Sequence, residues 1–467
     1  MNCRAFIISV AVTAASGMAD QGKDRLLKQR PNILLIMTDQ QYAEAMSCAE
    51  NSWLKTPAMD RIAQRGIRFE KCYTSNPICV PSRTSMFTGL MGHHTGIDQN
   101  EHAGKPMRGG CIAKALKQAG YDTGYTGKWH IPRDIKDKKW SGFDYQVGVD
   151  AYDPQITRPA IDFIKTKRSK PFFLVASYRN PHDICQQARM MSGIEDTYPN
   201  GDIPALPDLS LCPPLPENIE PPDIESEAIR VHQTYETMYR VYPTHKWADD
   251  SKWRQFRWAY YRMCEIVDGH IGKILDVLEE TRQLNNTVVL FTSDHGDGLG
   301  AHRWNQKTLF YEETARIPFI VSHPGTLPQG QVDSEILINT GIDIASTVYD
   351  IAGIPQHRDF TGQRLYSRLL GKDVPTHDFI VGQSHLHRAY GQRGDFNSRM
   401  LRTPKYKYVC FDGGKHPEML FDMESDPGEL TNLVYKKSAT SILQQHRHLL
   451  KNWIKEQDDW FKMPSWK

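Results

Sequence analysis

The sequence carries almost no net charge: 57 Lys and Arg stand against 55 Asp and Glu, giving +2. So even a balance excludes a nucleic-acid surface or a polyanion-binding face that relies on the overall field. Any anionic ligand must be met by a local cluster. The nine cysteines (Cys3, Cys48, Cys72, Cys79, Cys111, Cys185, Cys212, Cys264 and Cys410) include no Cys-x-x-Cys pair. That argues against a structural zinc site or a thioredoxin-like motif. With Cys3 in a leader and Cys79 reserved for chemistry, an odd number is left, so at least one thiol stays free and no disulfide can be assigned. After the first 19 residues no apolar run approaches the ~20 residues of a membrane-spanning helix. There is no internal repeat, and the composition has no bias towards disorder, collagen or coiled coil.

What is present fits one large α/β domain with a smaller partner. Met1 to Ala19 hold a single Arg4, the apolar run Phe6-Ile7-Ile8-Ser9-Val10-Ala11-Val12 and a close on small residues, the pattern of a signal peptide. Export to the periplasm or outside the cell, with no membrane insertion, is the expectation. Three short apolar runs, Ile33 to Met37, Phe172 to Ala176 and Val288 to Phe291, read as strands buried on both faces of a parallel sheet. Each runs straight into polar residues: Thr38-Asp39-Gln40, Ser177 to His182, and Thr292-Ser293-Asp294-His295. Ligand sites of open α/β sheets lie beyond the carboxyl ends of the strands, so three such ends suggest one polar site.

Helical periodicity is expected from about Gln255 to Arg282, after the nucleophile candidate near Ser82 to Gly89, and over Ile112 to Ala119. The proline-crowded stretch 183–255 reads as long ordered loops over the site. After residue 374 the texture changes to short strands: Phe379 to Gln383, Met400 to Thr403, Tyr406 to Phe411 and Met419 to Asp422. A helix over Ser438 to Trp460 follows. The expected division is a leader of 1–19, a catalytic α/β domain of 20–374, and a C-terminal α+β subdomain of 375–467 with an antiparallel sheet and one helix.

The most specific segment is Cys79-Val80-Pro81-Ser82-Arg83. A lone Cys before Pro is ordinarily a small buried residue; ahead of a helix start it is also a thiolate candidate. The five residues match in full the Cys-x-Pro-Ser-Arg signature of the type I sulfatases, within the alkaline phosphatase superfamily. A second element, Gly120-Tyr121-Asp122-Thr123 then Gly127-Lys128-Trp129-His130, is similar to that family as well. So is the tail from Leu420-Phe421-Asp422 to Leu433. The resemblance spans nearly the whole chain after the leader.

The resemblance implies an alkaline phosphatase-like fold: a large mixed, mostly parallel sheet flanked by helices. It implies that Cys79 becomes formylglycine, through a formylglycine-generating or anaerobic sulfatase-maturating enzyme, and that the aldehyde hydrate attacks sulfur. The second hydroxyl of the hydrate then allows sulfate to leave by C–O cleavage. One calcium ion per chain would be held by Asp39, Gln40, Asp294 and His295 with residue 79. Gln40 replaces a commoner Asp, but its carbonyl is still a hard donor; His295 leaves magnesium or another divalent ion open. Arg83 would hold the modified residue, Lys128 would contact it and a sulfate oxygen, and His130 would meet its hydroxyls. His182 would assist leaving-group departure, and Lys307 would bridge a sulfate oxygen and the leaving oxygen.

Substrate choice is thinner. A sulfated sugar fits the polar and cationic residues expected near the site: His93, Arg179, His302, Arg303, Trp304 as a stacking ring, and His387 with Arg388. The open alternatives are a sulfamidase cleaving N–S bonds, a phosphonate or phosphate ester hydrolase of the same superfamily, and a non-enzymatic binder of sulfated glycans.

Overall fold

The computed structural model describes residues 30–100, 107–234, 247, 249–386 and 395–465. The leader, His387 and Arg388 lie outside them. At the centre is β1 (Asn32–Asp39), an apolar strand buried at every position. Ile33, Leu35 and Met37 enter one core cluster and Leu34 and Ile36 the other, as alternation requires of a strand covered on both faces.

The remaining strands of the principal sheet are β2 (Gly66–Phe69), β4 (Asp122–Gly127), β5 (Tyr145–Val149), β6 (Phe172–Pro181), β7 (Thr287–Ser293), β8 (Phe319–Ser322) and β9 (Gln331–Asp333). Between β2 and β4, β3 (Cys72–Tyr73) pairs instead with β10 (Ile338–Asn339). The eight-stranded order is β5-β4-β6-β1-β7-β8-β2-β9. The first five are mutually parallel, and β8 runs antiparallel to both its neighbours. The three strands read from the sequence are thus three adjacent central ones, β6-β1-β7. Helices Pro57–Gln64, Asp153–Lys165 and Asp250–Glu280 cover one face; Cys79–Thr88, Ile112–Gln118 and Thr340–Ile351 cover the other.

The C-terminal strands β11 (Ile380–Leu386), β12 (Phe396–Arg402), β13 (Tyr406–Phe411) and β14 (Glu418–Asp422) form an antiparallel sheet. Met400, Val409, Phe411, Met419 and Phe421 pack with Tyr73, Tyr311 and Ala315 from earlier in the chain. Leu401, Tyr408, Cys410 and Leu420 pack under the helix Thr440–Glu456. Three expectations are corrected. Strand β12 starts at Phe396, four residues early, because the polar Arg399 is itself buried in a bidentate pair with Asp459 (2.6 and 2.7 Å). The proline-rich stretch also contains helices at Ile184–Met191 and Glu227–Thr234. The long helix begins inside that stretch, at Asp250, where the Asp249 carboxylate caps it by accepting from the Ser251 N–H (2.8 Å). All eight described cysteines are free thiols, and no helix among the described residues is long and apolar enough to cross a membrane.

His323, just past β8, is buried with its Nδ1 2.6 Å from the Tyr366 hydroxyl. Burial pushes its ring down to about 4. An unfolded His titrates near ~6.5, so between those values only the unfolded chain takes up the proton. Stability is therefore expected to fall as pH drops from about 6.5 towards 4. His323→Gln should flatten part of that slope in melting temperature against pH; an unchanged slope contradicts the assignment.

Candidate active site

Four parallel strands end on the site residues. Asp39 closes β1, Asp294 and His295 follow β7, Lys128 follows β4, and His182 follows β6. Two glycines permit the close approaches this needs. Gly127 has φ +96°, and a Cβ there would lie 1.9 Å from the Ser177 carbonyl oxygen; one on Gly296 would lie 2.0 Å from that of Glu313. Asp153, buried at the start of its helix, accepts the backbone N–H groups of Arg179 (2.6 Å) and Asn180 (2.9 Å), fixing the strand end that carries His182.

Arg83, fully buried, projects from the helix headed by Cys79 and uses every face of its fork. Its Nη2 reaches Asp39 Oδ2 (2.9 Å) and its Nε reaches Asp294 Oδ2 (2.8 Å). Its Nη1 donates to the Lys128 carbonyl (2.9 Å) and Ser177 Oγ (2.8 Å). Asp294 Oδ1 accepts the backbone N–H groups of His295 (2.9 Å) and Gln40 (3.1 Å).

Cys79 Sγ lies 3.1 Å from His295 Nε2, 3.2 Å from Lys307 Nζ, 3.6 Å from Lys128 Nζ and 3.9 Å from Asp39 Oδ1. Burial opposes ionisation of this thiol. The cations of Lys128 and Lys307, with His295 and a hydrogen bond from His130, outweigh it and hold the thiol well below its ordinary range. Burial likewise opposes charge on Asp39, yet Lys128, His182 and Arg83 keep its carboxyl low. Lys128 Nζ pairs directly with Asp39 Oδ2. Burial, then the charge of Asp39, pushes Asp294 up.

His295 Nδ1 lies 2.9 Å from the Gly296 carbonyl, which can only accept, so Nδ1 carries a proton and Nε2 is the nitrogen turned to the centre. Ligand atoms of Asp39, Cys79, Asp294 and His295 lie within 4.8 Å of one another. Donors at ~2.3–2.6 Å from one ion cannot be farther apart than about twice that distance, so the set fits a single divalent cation. Lys307 Nζ contacts Gln40 Oε1 (3.0 Å) and His182 Nε2 (3.3 Å). Burial and the Lys307 cation push His182 down to about 4, so at neutral pH its Nε2 accepts from the ammonium.

The residues expected around the metal and nucleophile therefore come together: Asp39, Gln40, Cys79, Arg83, Lys128, His130, His182, Asp294, His295 and Lys307. Most of the expected sugar-reading residues do not. Trp304 is 2% exposed and donates through Nε1 to the Lys307 carbonyl (3.3 Å), so its ring has no free face for stacking. His93 sits beyond the far end of the nucleophile helix, between Gln383 (2.7 Å) and the Gln457 carbonyl (3.1 Å). His302 is buried against Tyr311 at 3.8 Å between ring centres. It stands beside Glu313 and Glu429, where Lys407 (2.7 Å from Glu429) is the resident cation. Arg303 pairs with Glu220 and Asp250 at the surface. Arg179 is half-buried, donating to the Ala151 (3.1 Å) and Asp150 (2.8 Å) carbonyls three residues before His182. The sequence pattern gave no role to Ser177, which lies within β6, or to Asp297, which lies beyond β7; nothing in it pointed to their partners.

A model of the sulfatase family matches residues 31–354, and the chain belongs to that family. It is a sulfuric ester hydrolase with an alkaline phosphatase-like fold. A model described as N-sulphoglucosamine sulphohydrolase, C-terminal, matches residues 300–456. The chain is 27% identical over 459 residues to a Delta 4,5-hexuronate-2-O-sulfatase of Bacteroides thetaiotaomicron, covering 95% of this chain and 92% of that one. It is 27% identical over 523 residues to an N-acetylglucosamine-6-O-sulfatase of the same organism, covering 98% and 92%. A solved 2-O GAG sulfatase superposes with a TM-score of 0.80 at 25% identity, covering 92% of this chain and 93% of that chain.

Lysine cannot reproduce the four-way fork of Arg83. Arg83→Lys is expected to strand one buried carboxylate and to cost about 3–5 kcal/mol in urea unfolding of the full chain. A loss below about 1 kcal/mol, the worth of an exposed pair, contradicts that role.

Proposed function

We propose that this sulfatase removes sulfate esters from a sulfated carbohydrate, with Cys79 matured to formylglycine and one calcium ion beside it. The observation that carries the proposal is the setting of Cys79 Sγ, within 3.1–3.9 Å of His295, Lys307, Lys128 and Asp39. A buried structural thiol has no use for two lysines and a carboxylate. The sulfur marks the position that an oxygen of the aldehyde hydrate would take.

Asp39, Asp294, Gln40 through its carbonyl, and His295 through Nε2 would hold the ion. When bound, it supplies positive charge that stabilises oxyanions and favours an ionised hydrate hydroxyl. Carboxylates and an amide carbonyl are the hard donors calcium takes.

The protein's own groups do the rest. Lys128 and Lys307 place two fixed ammonium groups where charge spreads over the sulfate oxygens, in a site dry enough for that charge to count. Arg83 touches neither substrate nor sulfur in this reading; it neutralises and spaces Asp39 and Asp294. His182 and Lys307 form one proton-sharing pair at 3.3 Å. With His182 neutral at rest, the proton delivered to the leaving alkoxide starts on the pair rather than on a free imidazolium. His130 approaches residue 79 and is suited to take the hydroxyl proton that starts sulfate release. Of the residues proposed to read the sugar, Arg179 is the described one left on the rim of the site. A maturating enzyme as partner and export directed by residues 1–19 belong to the same reading.

Support for a carbohydrate comes from the names of the two relatives, one acting on a hexuronate 2-O-sulfate and the other on an N-acetylglucosamine 6-O-sulfate. The C-terminal match to an N-sulphoglucosamine sulphohydrolase model keeps N-sulfate as a second reading. Both are tested by incubating the matured chain with position-defined sulfated mono- and disaccharides, an N-sulfated glucosamine, and paired aryl sulfate and aryl phosphate. Sulfate release from at least one O-sulfated saccharide, with aryl sulfate preferred over aryl phosphate, is expected. Release from the N-sulfated sugar alone would establish the second reading, and failure on every saccharide would remove the carbohydrate assignment.

A further inference from the structure

The two ends of a glutamine amide have the same shape, and only their surroundings decide which end faces the chemistry. Gln40 occupies the left-handed region, with φ 70° directly after Asp39. Its own carbonyl is held by the Tyr260 hydroxyl (2.6 Å). What orients its side chain is Asp297, a fully buried carboxylate two residues past His295. Asp297 Oδ2 accepts from Gln40 Nε2 (2.7 Å) and the Gln306 N–H (3.1 Å), and Oδ1 accepts from the Leu299 N–H (2.9 Å). An ionised carboxylate can only accept, so the NH2 end of the amide must face Asp297. Oε1 is then turned the other way, to within 3.0 Å of Lys307 Nζ, which stands 3.2 Å from Cys79 Sγ.

We infer that Asp297 is a positioning residue of this enzyme: through Gln40 Nε2 it locks the Gln40 carbonyl oxygen towards Lys307 and the cation site. It also supplies, from behind, the negative charge that a neutral glutamine cannot bring to the centre. The cation half of this inference rests on the proposed calcium site; the Lys307 half does not. Polar groups that orient ligands in this way typically change metal affinity or activity about 10–100-fold when replaced.

A polarity swap separates positioning from loop shaping. In Asp297→Asn the side-chain NH2 can oppose that of Gln40 and release the amide. The Gln40→Glu/Asp297→Asn pair restores one donor facing one acceptor with the polarity reversed, and keeps an oxygen towards Lys307. Calcium titration of metal-stripped matured chain by calorimetry, kcat on an aryl sulfate, and melting temperature are compared for the wild type, Asp297→Asn and the pair. The inference predicts at least a tenfold weaker calcium affinity and at least a tenfold lower kcat for Asp297→Asn. Most of both losses should be recovered in the pair, with melting temperatures close to one another. Calcium affinity and kcat within twofold of wild type in Asp297→Asn would overturn the inference, as would a pair no better than the single variant. Should the wild type bind no calcium, the metal reading fails by itself. The kcat comparison still decides whether Asp297 acts on Lys307 through Gln40.

Discussion

Two carboxylates, Asp39 and Asp294, stand buried at the ends of adjacent parallel strands, and one guanidinium makes that arrangement tolerable. Unpaired buried charges cost several kcal/mol each, and Arg83 answers both at 2.9 and 2.8 Å. It comes from the helix whose first residue is Cys79, so the same contact that neutralises the strand ends also sets Cys79 over them. The strand register, the approaches allowed by Gly127 and Gly296, and the direction of the helix all converge on this one bidentate bridge.

Around the bridge the charges are arranged so that no group is left idle. Lys128 answers Asp39 while facing Cys79; Lys307 answers Gln40 and His182 while facing Cys79 from another side. On the proposed reading the site is thus preorganised, with cations placed for the negative charge of sulfuryl transfer, so that little rearrangement is needed when it develops. Lys307 in turn depends on backbone support, since the Trp304 indole and Thr308 hydroxyl both donate to its carbonyl.

The central sheet was legible because β1, β6 and β7 each hold a continuous apolar run that gives way to polar residues at the carboxyl end, a pattern set by burial on both faces. The cluster gathered around Cys79 was legible through a local signature, Cys79 to Arg83, and its relation to Lys128 and His130. Side-chain direction and long-range pairing were not. Trp304, His93 and His302 have the chemistry of sugar contacts, but the fold turns Trp304 onto the Lys307 carbonyl, stacks His302 on Tyr311, and holds His93 against the Gln457 carbonyl, 364 residues away. The start of the long helix was misplaced because proline content upstream hid the Asp249 cap. Asp297 stayed hidden because its role depends on which end of the Gln40 amide it meets, a three-dimensional fact with no local pattern.

The central claim is that this lattice of charge surrounds a residue that is no longer cysteine when the enzyme works. Mass spectrometry of the tryptic peptide bearing residue 79, from chain produced with a maturating enzyme and sorted by specific activity, tests it directly. Active fractions should carry formylglycine in proportion to their activity. Full activity in chain whose residue 79 is an unmodified thiol would contradict the account.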